Sequence, residues 1–131
     1  MSAHVVGTTA EIPPGERKIV EIDGRSIGVF NVDGRFYALR NTCPHAGARL
    51  CEGTLSGLVV STAPGEYNYV REGEILRCPW HGWEFDITTG QSWFDPARVR
   101  VRAYETTVEP GPYQAERYDV EVRHDLVVVH T

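Results

Sequence analysis

Two Asp-Gly pairs, Asp23-Gly24 and Asp33-Gly34, constrain this chain more than any other feature. Each sits between short runs in which apolar residues alternate with polar ones: Lys18–Ile22, Ser26–Val32 and Arg35–Leu39. The two-residue hairpin turn needs positive φ, which Gly accepts freely, so Asp-Gly between alternating runs is a strong hairpin signal. The spacing predicts a three-stranded antiparallel meander.

The rest of the chain repeats the theme. Leu58–Thr62 and Glu66–Val70 read as short strands around Ala63-Pro64-Gly65. Arg71-Glu72-Gly73-Glu74 reads as a turn leading into a further strand, Ile75–Arg77. Trp83–Ile87 is strand-like and stops at Thr88-Thr89-Gly90. Arg98–Val108 alternates, with Val99, Val101 and Ala103 on one side and Arg98, Arg100 and Arg102 on the other, a row that reads as a solvated strand face. Pro110-Gly111-Pro112 is expected to break it, and Tyr118–Val122 with Leu126–Val129 to close as a hairpin around His124-Asp125. No segment reads as a long helix. With 13 Gly, 8 Pro and 10% aromatics, the pattern predicts an all-β chain of many short strands. Its 131 residues are one domain's worth, so residues 1–131 are read as a single domain.

The formal net charge is −5, which argues against nucleic acid or an anionic membrane as partner. The acidic stretch Glu109–Asp125 suggests a basic face on a protein partner. The N-terminus lacks a basic region followed by an apolar one, so no signal peptide is expected. Apolar runs such as Leu126–Val129 are too short to span a bilayer. A cytoplasmic location is expected. The 3 cysteines cannot all pair, and in a cytoplasmic chain cysteines near histidines point to a metal before disulfides.

Two segments carry the chemistry. Cys43-Pro44-His45-Ala46-Gly47 lies within an irregular stretch from Asn41 to Gly53, and Cys78-Pro79-Trp80-His81-Gly82 follows a strand. Each supplies one thiol and one imidazole on a loop stiffened by Pro. Structural zinc accepts such a donor set, but zinc fingers usually group the cysteines and then the histidines. The mixed order Cys43, His45, Cys78, His81 suits a binuclear cluster, in which two thiolates hold one iron and two imidazoles the other. A catalytic Cys–His pair would explain one segment but hardly two matching ones.

The residues Asn41-Thr42-Cys43-Pro44-His45-Ala46-Gly47-Ala48 and Arg77-Cys78-Pro79-Trp80-His81-Gly82-Trp83-Glu84-Phe85-Asp86 resemble Rieske ferredoxins and the Rieske domains of ring-hydroxylating oxygenases. Thr89-Gly90 and Phe94-Asp95-Pro96 resemble the family's third, proline-containing loop. The resemblance runs from about Lys18 to the C-terminus. It implies a Rieske iron–sulfur fold of antiparallel sheets in a sandwich, with a small cluster-binding subdomain. The cluster-binding loops would be about 41–53 and 77–86, and the covering loop about 90–97. It also implies one 2Fe–2S cluster, with Cys43 and Cys78 on the buried iron and His45 and His81 on the outer one. High-potential relatives place Ser and Tyr hydroxyls where this chain has Trp83 and Phe85, so a potential in the lower part of the Rieske range is expected. Protonation of the imidazoles would couple to reduction at alkaline pH. The disulfide of respiratory members is expected to be absent, since the spare Cys51 has no partner; it reads as a buried, inert thiol.

Other features carry plainer expectations. His4, His124 and His130 read as surface histidines. Trp80, Trp83, Trp93 and Phe94 flank the cluster loops as shields or core, with an exposed one open to a partner-docking role. The segment from Ala46 to Arg77, with Tyr67 and Tyr69, is longer than in compact Rieske ferredoxins and predicts an extra hairpin. No Gly-rich dinucleotide motif is present, so no NAD or flavin site is expected. The chain is also too short for a mononuclear-iron oxygenase domain. The resemblance therefore implies an electron carrier without a catalytic site of its own. It would take single electrons from a flavoprotein reductase to an oxygenase or other acceptor. The alternatives are a small subunit of a larger oxidoreductase such as a nitrite reductase, and a zinc module or cluster-based sensor.

Overall fold

The computed structural model describes residues 2–44, 47–60, 63–65, 68–80, 82–115 and 121–131. Within them the strands are β1 (Ala3–Thr8), β2 (Arg17–Ile22), β3 (Arg25–Val32), β4 (Arg35–Arg40), β5 (Thr54–Val60), β6 (Asn68–Arg77), β7 (Glu84–Asp86), β8 (Ala103–Ala115) and β9 (Glu121–His130). Short 3-10 turns occupy Thr9–Glu11 and Leu50–Glu52. The meander forms as the Asp-Gly pairs predict: φ is 50° and 77° at Asp23 and Gly24, and 52° and 89° at Asp33 and Gly34. Both turns close with direct pairing of the flanking residues, Ile22 with Arg25 and Val32 with Arg35.

Two antiparallel sheets result. The larger runs β1-β9-β8-β4-β3-β2 and the smaller β5-β6-β7. β3 lies inside the large sheet, and Ile27–Asn31 is buried on both faces, one towards each core. Ile27 and Val29 face a core shared with Val6, Ile22, Ala38, Tyr104, Val127 and Val129. That core joins the two ends of the sheet, so the sheet curls until β1 approaches β2. Lys18 crosses the gap, donating from Nζ to the Val6 carbonyl at 2.8 Å and pairing with Glu11 at 3.1 Å. On the other face Phe30 and Leu39 pack with Leu50, Leu76, Phe85 and Ile87, clamping the small sheet to the large one. Each such fully buried side chain contributes about 1.5–3 kcal/mol.

Four local expectations are corrected. Arg71–Glu74 is not a turn between two strands but part of β6, which runs unbroken from Asn68 to Arg77. The residues form a bulge: pairing shifts between Ser56↔Ile75 and Leu58↔Val70, leaving Gly57 opposite the excess. Arg71 holds φ 53° there and is anchored from the side chain, 2.8 Å from Asp86 and 3.1 Å from Glu74. A β-carbon on Gly57 would lie 2.5 Å from the Val70 carbonyl oxygen, so only glycine fits beneath the bulge. Pro110-Gly111-Pro112 does not end β8; the strand carries through with a register shift between Pro110 and Tyr113, the kind of irregularity that tolerates proline's missing N–H. His124-Asp125 is not a turn, because β9 pairs with β8 on both sides of it (Tyr113↔Arg123, Pro110↔Asp125). β8 begins at Ala103 rather than Arg98; residues 98–102 are irregular, tied in by the isolated Gln91↔Arg100 bridge and by Arg40 N–H donating to the Arg102 carbonyl at 2.9 Å.

β1 escaped the sequence reading altogether. It pairs with Leu126–His130 of β9, so the end of the chain is closed by its beginning. The segment expected to form an extra hairpin does so as β5 and β6. Tyr67, residues 61–62 and 66, and Tyr118–Val120 of the expected last hairpin lie outside the described residues.

Candidate metal centre

Cys43 lies three residues beyond β4 and Cys78 immediately follows β6, so the two thiols stand at the ends of strands from different sheets. Each loop is held at its base by backbone bonds. Cys43 N–H donates to Ala48 at 2.8 Å and its carbonyl accepts from Gly47 at 2.8 Å; Cys78 N–H donates to Trp83 at 2.7 Å. Gly47 takes φ 71° and Gly82 φ 69°, the left-handed turn each loop needs to reverse within so few residues.

Both cysteines are buried and free, and their side chains are within hydrogen-bonding reach of each other. Burial pushes the Cys78 thiol up from its ordinary value and the Cys43 neighbour adds to this, while the Trp80 backbone N–H aimed at its sulfur pulls the other way. The Cys78 thiol, in its apolar pocket, therefore resists ionisation. A metal's positive charge reverses that tendency, and the Trp80 N–H is already placed to stabilise a thiolate. The donor set therefore fits the sulfur half of a 2Fe–2S site. His45 and His81, expected as the other ligands, lie outside the described residues. Among the described residues, no other group of three His, Cys, Asp or Glu side chains could hold a metal ion. His4 and His130 are half-buried on the β1–β9 pair, where they meet Thr131 at 3.3 Å and Thr107 at 2.8 Å.

Three features that hold the site were not assigned a role from sequence. Asn41 is buried and binds both ways: its Nδ2 donates to Ser26 Oγ at 3.1 Å and its Oδ1 accepts from Cys51 N–H at 2.7 Å. It thereby ties both ends of the first loop to β3, and its place just before the motif was the only available signal. Arg17 reaches from β2 to donate to the Cys51 carbonyl at 2.8 Å and to Gly53 at 2.5 Å. Gly53 meets the residue before Cys78 so closely that a β-carbon would lie 1.9 Å from the Arg77 carbonyl oxygen.

The loop expected to cover the cluster, about 90–97, is anchored by Trp93 N–H to Glu84 at 3.1 Å, Ser92 N–H to Val99 at 3.1 Å, and the Phe85↔Ser92 bridge. Trp83 and Phe94 meet edge to face with centroids 4.0 Å apart, lining a 460 Å³ groove with Gly82, Glu84 and Trp93. Trp83 and Phe85 thus serve as packing, Phe85 fully buried. Trp80, Trp93 and Phe94 stay about half exposed (55%, 46% and 51%), an aromatic rim around the second loop.

Cys51 is fully buried, packed so tightly on β3 that a β-carbon on Gly28 would lie 2.5 Å from its sulfur. Its thiol donates to the Leu39 carbonyl at 3.5 Å, and burial pushes its pKa up to about 12. The raised pKa means the folded protein favours the protonated thiol. Its contribution to stability is complete below the ordinary value of 9.0 and declines as pH rises towards about 12. Unfolding titrations should therefore show an alkaline loss of stability between those values that is smaller in Cys51→Ala, and iodoacetamide at pH 8 should leave Cys51 unlabelled in the folded protein. Labelling without unfolding would refute the burial argument.

The Rieske [2Fe-2S] domain family matches residues 2–105. The ferredoxin component of the naphthalene 1,2-dioxygenase system of Pseudomonas aeruginosa is 29% identical over 99 residues, spanning 76% of this chain and 80% of that protein. Among solved structures, a chain in the complex of reduced oxygenase and oxidized ferredoxin of carbazole 1,9a-dioxygenase superposes with a TM-score of 0.63 at 25% identity, covering 97% of this chain and 91% of that one. A protein described as a nitrite reductase NADPH small subunit superposes with a TM-score of 0.62 over 100% of both chains at 17% identity, a likeness of fold alone. No helix of the described residues is long and apolar enough to cross a membrane.

Proposed function

Since the chain belongs to the Rieske [2Fe-2S] family, and so carries a Rieske-type 2Fe–2S cluster, we propose that Cys43, His45, Cys78 and His81 are its ligands and that the protein is a ferredoxin. It passes single electrons from a reductase to an oxygenase or other redox acceptor, a role supported by relatives named as ferredoxin components of dioxygenase systems. Residues 1–131 act as one domain, with cluster loops at about 41–53 and 77–86 and a covering loop at about 90–97. The observation that carries this reading is the buried, adjacent pair of free thiols, Cys43 and Cys78, delivered by two separate loops.

The cluster supplies a one-electron couple; the chain decides how it is reached. The Trp83–Phe94 contact and the core beneath it keep water from the sulfur side. The Trp80 N–H offsets part of the thiolate charge. The exposed Trp80, Trp93 and Phe94 form the rim against which a partner would close. A free, unpaired Cys51 suits a reducing, cytoplasmic compartment.

The test is the EPR spectrum of anaerobically purified, dithionite-reduced protein. A rhombic signal with average g below the free-electron value supports the assignment; a colourless, silent, zinc-containing sample overturns it. The fold likeness to a nitrite reductase small subunit supports a second reading, as a subunit of a larger oxidoreductase, which stable co-purification with a large subunit would favour. Because Trp83 and Phe85 offer the cluster no hydroxyl, a redox titration should find the midpoint in the lower part of the roughly −150 to +300 mV Rieske range. A midpoint well above its middle would contradict the hydrogen-bond argument.

A further inference from the structure

On a chain of net charge −5, five arginines collect beside the first cluster loop and the covering loop. Arg25 opens β3, Arg40 closes β4, and Arg98, Arg100 and Arg102 follow the covering loop into β8; all five are exposed. Ile27 pairs with Arg40, and Arg25 precedes Ile27 by two residues on the same face. Arg40 N–H donates to the Arg102 carbonyl at 2.9 Å, continuing the ladder from Leu39↔Ala103. Ile27, Ala38 and Tyr104 share one buried core, so strand alternation sets Arg25, Arg40 and Arg102 along the rim of that same face. Val101, with the partly buried Val99, packs into the core between the sheets; Arg100 between them is exposed, and Arg98 is exposed in the turn before them, where its N–H donates to the Asp95 carbonyl at 3.2 Å.

Among the described residues none of the five meets a carboxylate within ion-pair distance, whereas Lys18, Arg49, Arg71 and Arg77 each do. Their partners are of other kinds: Arg100 donates to the Ala97 carbonyl at 3.4 Å, and the Arg102 guanidinium lies 5.4 Å over the Tyr104 ring. Asp23 lies 3.8 Å from His4, and Asp95 meets Arg98 only through its backbone carbonyl. Arg40 and Arg102 are like charges directly across a ladder, an arrangement that destabilises a sheet. Yet three residues beyond Arg40 stands Cys43.

We propose that this arginine ridge is the docking surface for an acidic face of the redox partner. The proposal rests on the ferredoxin reading and specifies its partner. It is the reverse of the expectation drawn from overall acidity, because local charge, not the total, faces the partner on contact. Planar guanidinium groups suit this task, since each can bind a carboxylate through two hydrogen bonds.

The test needs no knowledge of the partner. Holoprotein is examined by voltammetry on gold coated with carboxylate-terminated or amine-terminated alkanethiols. A surface-bound cluster wave on the carboxylate layer at low ionic strength, lost as salt shortens the screening length, is expected despite the net negative charge. Arg40→Gln/Arg102→Gln should weaken adsorption roughly tenfold. Arg35→Glu, at the opposite end of β4, changes net charge by the same amount and should leave adsorption intact. Adsorption to the amine layer alone, or equal loss in both variants, overturns the ridge while a normal reduced EPR signal leaves the ferredoxin reading standing. No wave on either layer together with a silent EPR spectrum overturns that reading itself. Ridge-dependent binding to random duplex DNA at physiological salt, without carboxylate adsorption, overturns the acidic-protein partner.

Discussion

Cys43→Ser and Cys78→Ser should each yield a colourless protein without the reduced EPR signal, while Cys51→Ala keeps full iron and sulfide content. The three cysteines are all buried, so burial does not separate them. What does is company. Cys43 and Cys78 have each other and the Trp80 N–H, on loops that end strands of different sheets. Cys51 has the Leu39 carbonyl, the Gly28 backbone N–H and the packing of β3, with no second thiol. Serine lacks the soft, polarizable sulfur the cluster's irons require, and one missing ligand leaves the cluster open to loss. Because cluster binding is part of folding free energy, both serine variants should also unfold at lower denaturant. Cys51→Ala removes one buried sulfur and should cost about 1 kcal/mol. Equal iron content in Cys51→Ala and lower content in the serine variants is the expected pattern; iron loss only in Cys51→Ala would refute the ligand assignment.

Gly53→Ala should destabilise the protein by at least about 3 kcal/mol and lower its cluster content, although it adds only one methyl outside the two Cys/His motifs. The added carbon would have to sit 1.9 Å from the Arg77 carbonyl oxygen and 3.0 Å from that of Leu50. Both are backbone atoms, so no rotamer change relieves the clash. Either β5 leaves β6 or Arg77 shifts, and Arg77 is the residue before Cys78. The two cluster loops would thus be pushed apart at the point where they meet. Gly65→Ala is the control: its φ is 84° but nothing lies within 4 Å, so it should cost only the backbone strain, about 1 kcal/mol, with cluster content unchanged. Equal behaviour of the two variants, by denaturant titration and iron analysis, would show that the Gly53 contact does not hold the loops together.

The sequence by itself determined what depends on neighbours along the chain. Asp23-Gly24 and Asp33-Gly34 dictate their turns because positive φ is a local requirement, and the meander follows from alternation with period two. The donor pattern around Cys43 and Cys78 is local too, because each loop carries one Cys and one His within three residues of each other. Tertiary structure decided the rest, where distant contacts outweigh local preference. Arg71–Glu74 and Pro110–Pro112 look like breaks, yet each is carried as an irregularity because a partner strand pairs on both sides of it. β1 carries no strong signal of its own and becomes a strand because Leu126–His130 offers it an open edge. Gly53 and Gly57 look like ordinary turn glycines, and only the approach of Arg77 and Val70 shows that they are spaces which must stay empty. The arginines at 25, 40 and 102 are scattered in sequence and become one surface only when three strands set them on a common face, since charge acts through space and not along the chain.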